Sequence, residues 1–213
     1  MLTVEVFCFN PFQENTYILY NEQKQAVVID PGCHSAAEQQ TVVGFITQNG
    51  LTPVRLINTH CHIDHVLGNN FIANTYGLGL EIHELETENL EKTVPYGEMF
   101  GLVVAPQPTP TSYLTAQDTI VLGTDELQVI FTPGHSAGSV SLYCAAQNFV
   151  ISGDVLFFES IGRTDLPGGS FMVLKETITQ KMYSLPPQTK VYSGHGNPTS
   201  IGYEMQHNPY IKA

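Results

Sequence analysis

Thr59-His60-Cys61-His62-Ile63-Asp64-His65 sets four side chains of metal-ligand type within six residues. Imidazole and carboxylate donors suit Zn²⁺ and similar divalent ions. His60 and His62 lie two apart, and in an extended loop alternate side chains point the same way. Asp64 and His65 follow where the backbone enters a helix, so they turn toward a second point, and one tight turn can feed two adjacent metals. Cys61 alternates with its neighbours, points the other way and reads as buried filler.

The flanks of this run alternate strand and helix. VRLIN (54–58) is a short buried-strand pattern leading into it, and a short helix is expected over Val66 to Tyr76, ending near Gly77. Upstream, VEVFCF, TYILY and AVVID read as strands, the last stopped by Asp30-Pro31-Gly32. Ser35 with Glu38 has capping-box spacing, Val42, Val43 and Ile46 recur at helical spacing, and Gly50 is a C-terminal stop. Residues 94–112, with Pro106-Gln107-Pro108-Thr109-Pro110, read as a loop between two halves. Its first part, Val94 to Val104, is either a lid or substrate wall or simple packing across a loop. TIVLG, LQVIFT, VSLYC and NFVISGD are further strands, Ser170 to Leu185 a helix with Leu174, Ile178 and Met182 on one face, and KVYSGHG a last strand and loop. This pattern fits an α/β (α+β) fold: two sheets packed together with helices outside, a four-layer αββα sandwich. The expected organisation is one domain, 1–213, in two halves of about 1–105 and 106–213.

Three later donors share one setting. His135 follows a Thr132-Pro133-Gly134 turn, Asp154 ends FVISGD, and His195 lies in Ser193-Gly194-His195-Gly196. Each sits at a strand end beside glycine, where the backbone can bend and approach closely. His34, His83 and His207 read as structural.

Composition narrows the function classes. With 42% hydrophobic and 13% charged residues the chain is too apolar for disorder. No apolar run reaches the roughly 18 residues of a membrane span. The N-terminus, without early Lys or Arg, reads as a first strand rather than a signal peptide. None of the four cysteines forms a C-x-x-C pair, which disfavours a cysteine zinc site, and reduced thiols in a cytoplasm are expected. A net charge of −12 makes the chain a poor partner for nucleic acid and for anionic membranes.

T-H-C-H-I-D-H, the lone His135, Asp154 after a strand and the terminal His195 together resemble the metallo-β-lactamase superfamily, over essentially the whole chain. The resemblance implies one divalent ion on His60, His62 and His135, another on Asp64, His65 and His195, and Asp154 bridging them with a water or hydroxide. Two such ions, about 3.5–4 Å apart, acidify the water and clamp both faces of the reaction. Asp64 and Asp154 are then the catalytic carboxylates: the hydroxide attacks a carbonyl carbon, a metal stabilises the oxyanion, and Asp64 accepts the water's proton. Zinc is expected; iron and manganese suit the same donors.

Ser160 to Gly169 and Gly194-His195-Gly196-Asn197-Pro198-Thr199, then Ile201-Gly202-Tyr203-Glu204, resemble short proteins of the glyoxalase II (hydroxyacylglutathione hydrolase) type. Arg163 either orients ligands through Asp165 or another carboxylate, or forms a buried Arg–Asp pair that shapes the loop. Glyoxalase II proper has a helical C-terminal domain that supplies much of the glutathione site; with 18 residues after His195, no such domain is expected here. The reaction implied is hydrolysis of a small-molecule thioester of the S-lactoylglutathione type. The alternative is a persulfide dioxygenase with one iron on His60, His135 and Asp154, and a third reading is a non-enzymatic binding module stabilised by metals. Other branches match less: flavodiiron proteins usually carry Glu at the position of His62, nuclease branches carry an inserted domain, and β-lactamases are mostly exported.

Overall fold

The computed structural model describes residues 1–212, and its chain divides into two compact units: Met1–Leu114 with Val121–Asp125, and Thr115–Ile120 with the residues from Glu126 onward.

The first unit is built on a six-stranded sheet in the order β1 (Thr3–Phe9), β2 (Glu14–Tyr20), β3 (Gln25–Ile29), β4 (Thr52–Ile57), β5 (Leu80–Ile82), β6 (Pro110–Tyr113). β1, β2 and β3 pair antiparallel; β3 to β6 pair parallel. Helix α1 (Ala36–Gln48) crosses from β3 to β4 with the expected capping box: Ser35 Oγ accepts from Glu38 N–H and the Glu38 side chain accepts from Ser35 N–H. Its core combines Ile18, Val28, Leu56, Ile72 and Leu80, each fully buried. Every such side chain contributes about 1.5–3 kcal/mol by leaving water.

The helix expected over Val66 to Tyr76 is two helices, α2 (Ile63–Val66) and α3 (Asn69–Tyr76). Gly68 separates them. Its N–H bonds the Pro31 carbonyl at 2.7 Å, and a Cβ there would lie 2.5 Å from Cys33 Sγ. A tertiary contact thus takes the backbone donor that a continuous helix would use. The supposed loop 94–112 is also partly ordered into elements. α4 (Thr87–Glu91) and α5 (Thr93–Met99) precede the Pro-rich run, and β6 ends it. Pro95 is tolerated because it sits in the first turn of α5, where no intrahelical partner needs its N–H.

The second sheet runs β14 (Thr199–Ser200), β13 (Lys190–Ser193), β10 (Phe149–Gly153), β9 (Val140–Cys144), β8 (Asp125–Phe131), β7 (Thr119–Leu122). β10 and β13 are parallel; β8, β9 and β10 pair antiparallel. A two-stranded hairpin, β11 (Leu156–Phe157) and β12 (Ser160–Ile161), follows β10. The helix expected over 170–185 is α6 (Phe171–Thr177), capped by Ser170, continued as one π-type turn that closes through Tyr183 N–H to the Ile178 carbonyl at 2.8 Å. Leu174, Ile178 and Met182 face the core as their spacing predicts, with Val150, Val191 and Ile201. A last helix, α7 (Ile201–His207), was not anticipated. Among the described residues no helix is long and apolar enough to cross a membrane.

Candidate metal centre

In the first unit the donors occupy the loop at the carboxyl end of β4, next to the end of its parallel neighbour β3. Loops there gather at one sheet edge, where ligand sites form in open α/β sheets. Asp30, just past β3, turns in the left-handed region (φ 48°), which a short polar side chain tolerates. Its carboxylate accepts from Thr59 N–H and Thr59 Oγ1–H, both at 2.6 Å, and faces His65 Nδ1 at 3.2 Å. Asn58 Nδ2 donates to the His65 carbonyl at 2.9 Å, and Asn10 Nδ2 to the Asp64 carbonyl at 3.0 Å. The loop is thereby held from both ends. Cys61 points away into the core, as the alternation predicts, and is buried. His62 is the extended residue before α2, and Asp64 lies in that helix's first turn, where a negative charge is favoured.

These contacts choose the tautomers. Thr59 Oγ1 spends its only hydrogen on Asp30, so at 3.1 Å from His60 Nδ1 it acts as the acceptor. Asp30 likewise accepts a hydrogen bond from His65 Nδ1–H. Both rings therefore carry hydrogen on Nδ1 and present a lone pair at Nε2. Asp30, His60 and His65 could themselves hold an ion by proximity alone. The Asp30 oxygens are already engaged by Thr59 and His65, so Asp30 supports the ligands from behind. We expect Asp30→Asn to weaken divalent-metal binding about 10–100-fold, the usual effect of removing such a support; chelator competition measures it, and unchanged affinity would contradict the assignment.

Glu14 was missed by the sequence analysis. It is fully buried at the start of β2, accepts from Thr16 Oγ1 at 2.9 Å and lies 3.9 Å from His65 Nδ1. Burial pushes its carboxyl well above the usual carboxylate range. A glutamate heading a strand pattern signals nothing by itself; it is the loops carrying Gly32 and His65 that close over its carboxylate.

In the second unit Asp154 and His195 follow the ends of the adjacent parallel strands β10 and β13, and Gly194 N–H bonds the Gly153 carbonyl at 2.9 Å. His135 Nδ1 lies 2.7 Å from the Arg163 carbonyl. A carbonyl only accepts, so the proton is on Nδ1 and Nε2 again carries the lone pair. His135 Nε2 and His195 Nε2 each stand 3.5 Å from Asp154 Oδ2. In the first unit His65 Nε2 stands 3.6 Å from Asp64 Oδ2. These separations exceed a hydrogen bond. They match the spacing of about 3.4 Å between two tetrahedral ligands whose bonds to zinc are about 2.0–2.2 Å long. The donor set in each unit therefore fits a divalent ion.

The Arg163–Asp165 reading needs correcting. The pair is not buried: the side chains are 60% and 67% exposed, bonded in a fork at 2.8 and 2.7 Å. The guanidinium holds the Asp165 carboxyl down at about 2. What reaches His135 is the Arg163 main-chain carbonyl, which any residue type would supply. Gly162 completes the contact. A Cβ there would lie 1.9 Å from the Asp154 carbonyl oxygen and 3.0 Å from His135 Nδ1. His83 accepts from Leu85 N–H at 3.2 Å and His207 packs on Tyr203 with 4.5 Å between ring centres.

Residues 9–195 match the family model of the Metallo-beta-lactamase superfamily. Among curated proteins, the chain is 35% identical to "Probable metallo-hydrolase YqgX" of Bacillus subtilis, covering 94% of this chain and 93% of that one. It is 27% identical to "Hydroxyacylglutathione hydrolase GloC" of Haemophilus influenzae, covering 100% and 99%. Among solved structures, BLEG-1 B3 metallo-beta-lactamase superposes with TM-score 0.90 at 36% identity over 99% of this chain and 100% of that one. TTHA1623 in a di-iron-bound form gives TM-score 0.88 at 32% identity over 98% and 100%.

Proposed function

Because this chain belongs to the metallo-β-lactamase superfamily of metallo-hydrolases, we propose that it hydrolyses a small-molecule acyl-thiol, a thioester of the S-lactoylglutathione type. The observation that carries the proposal is the placement of His65 and His135, fixed as Nδ1–H tautomers, with Nε2 3.6 and 3.5 Å from the Asp64 and Asp154 carboxylates, and of His195 with Nε2 3.5 Å from the same Asp154 oxygen. The likeness to a hydroxyacylglutathione hydrolase over its full length supports the thioester class. The net charge of −12 favours a small substrate over nucleic acid, and a cytoplasmic location agrees with four free thiols.

The ligand assignment we propose is His60, His62 and His135 for one ion, Asp64, His65 and His195 for the other, and Asp154 shared, with zinc the expected metal. Bound there, the ions would supply Lewis acidity toward a carbonyl oxygen and an acidified water. The chain's own residues do the rest. Asp30 and the Arg163 carbonyl fix the tautomer and orientation of His65 and His135. Asp64, partly open to solvent at the first turn of α2, accepts the proton that the water gives up. One Asp154 oxygen faces both His135 Nε2 and His195 Nε2 at 3.5 Å, the spacing of ligands to a common ion. No serine or cysteine nucleophile is used, and Cys61 is buried away from this chemistry, its thiol pushed well above its usual range by burial.

The test is hydrolysis of S-lactoylglutathione and a panel of other thioesters by protein of measured metal content. About two ions per chain and turnover that stops on chelation support the reading. Fully metallated protein inert on every thioester overturns it. A second reading is a mononuclear-iron persulfide dioxygenase using His60, His135 and Asp154; the di-iron-bound form of TTHA1623 supports iron as a metal for such a chain, though with two ions rather than one. Oxygen uptake with glutathione persulfide by iron-loaded protein, without thioester turnover, would decide for it.

A further inference from the structure

Glu204, on α7, is fully buried. Burying a carboxylate is costly unless donors surround it. Here neutral donors do: Glu159 N–H reaches both oxygens at 3.2 and 3.1 Å, Thr199 Oγ1–H reaches Oε1 at 2.6 Å, and Asn208 Nδ2–H reaches Oε2 at 2.9 Å. Asn208 Nδ2 also bonds the Ser160 carbonyl at 3.0 Å. Phe158 and Glu159 form the tip of the β11–β12 hairpin, Ser160 opens β12, and Glu159 is bent into the left-handed region (φ 52°). The carboxylate thus ties α7 to a strained turn.

That hairpin runs from Asp154 to the Arg163 carbonyl. Its base closes through Gly162 N–H to the Val155 carbonyl at 3.4 Å. Ser193 Oγ holds the Leu156 carbonyl at 2.8 Å, and the Phe157 ring stands edge-on to His195, 6.1 Å between centres. Thr199, the third partner of the carboxylate, lies four residues after His195. One buried charge therefore bears on the segments that carry all three donors of this unit: Asp154 and His135 through the two ends of the hairpin, and His195 through the strand that follows it.

We propose that Glu204 is a positioning residue for the metal centre, holding the β11–β12 hairpin so that Asp154, His135 and His195 keep the spacing of common ligands. This rests on the metal assignment above. An amide substitutes poorly: on the Asn208 side its NH₂ would face that residue's own NH₂, and on the Thr199 side it would need the hydroxyl to turn and accept while still facing Glu159 N–H. Glu204→Gln should therefore loosen the metal while α7 still packs through Ile201.

The experiment is zinc binding to the full-length apo chain by chelator competition, beside thermal unfolding of the same apo samples. Glu204→Gln is expected to weaken zinc binding about 10–100-fold, as for other residues that hold ligands from behind. Thr199→Val, nearly the same shape, should give a smaller loss in the same direction and decides the matter if Glu204→Gln does not fold. Tyr183→Phe removes hydroxyl bonds to the Glu204 and Ile211 carbonyls without touching the carboxylate. It should lower the unfolding temperature and leave zinc affinity unchanged. Wild-type affinity in folded Glu204→Gln or Thr199→Val, or an equal loss in Tyr183→Phe, overturns the proposal. Wild-type protein that binds no zinc, iron or manganese overturns the metal assignment itself, a result read before any variant is compared.

Discussion

Asp154→Ala protein is expected to lose at least about 10³-fold in thioester hydrolysis, the equivalent of several kcal/mol of transition-state stabilisation that the metals would supply. The side chain is almost buried, and one of its oxygens stands 3.5 Å from both His135 Nε2 and His195 Nε2. Without the carboxylate two imidazole donors remain in this unit with no negative charge to offset a divalent ion. Metal content should fall below the wild-type value by elemental analysis, and added zinc should not restore the rate. A variant that retains both its metal and its turnover would remove Asp154 from the centre and, with it, the two-ion reading.

The second large effect is expected from a methyl group. Gly162→Ala sets a Cβ 1.9 Å from the Asp154 carbonyl oxygen, a backbone atom that cannot rotate aside. Overpacking of ordinary side chains costs about 1–3 kcal/mol, and a collision with backbone belongs at or above the top of that range. The chain can relieve it only by moving the Asp154 segment or the 162–163 segment, whose carbonyl holds His135. Displacements near 1 Å at a reacting centre cost about 10²-fold in rate. Gly162→Ala should therefore lower the unfolding temperature, weaken metal binding and cut hydrolysis together. Gly44, inside α1 with no atom near its absent Cβ, is the matched control. Alanine there should be neutral or stabilising by about 0.5–1 kcal/mol, since a helix interior prefers it. A Gly162→Ala protein as active and as stable as Gly44→Ala would refute the close approach.

What could be read in advance has a common character. The capping box of α1, the inward face of Leu174, Ile178 and Met182, and the outward turn of Cys61 from its histidines all depend on partners within a few residues. So does the grouping of His60, His62, Asp64 and His65, which a seven-residue span guarantees whatever surrounds it. The α/β class followed from alternating strand and helix patterns, each of which buries one face. The family followed from the motif with three strand-end donors, His135, Asp154 and His195.

The remaining decisions were made by residues distant in the chain. Gly68 breaks the helix expected from Val66 because its N–H goes to Pro31, a donor lost to a contact that no local periodicity reveals. The buried pair expected at Arg163 and Asp165 is exposed, and the contact to His135 is a backbone carbonyl, which carries no residue signature. Glu14 and Glu204 look like ordinary surface acids in sequence; burial against neighbouring elements makes one a raised carboxyl beside His65 and the other the clamp of a hairpin. The sequence by itself determined which atoms are available as ligands and which local elements carry them, because side-chain chemistry and short-range hydrogen bonding are local. Only the tertiary structure decided which nitrogen of His60, His65 and His135 keeps its proton and which groups hold those rings in place. Those choices depend on donors and acceptors contributed by Asp30, 30 residues before His60 in the chain, and by Arg163, 28 residues after His135.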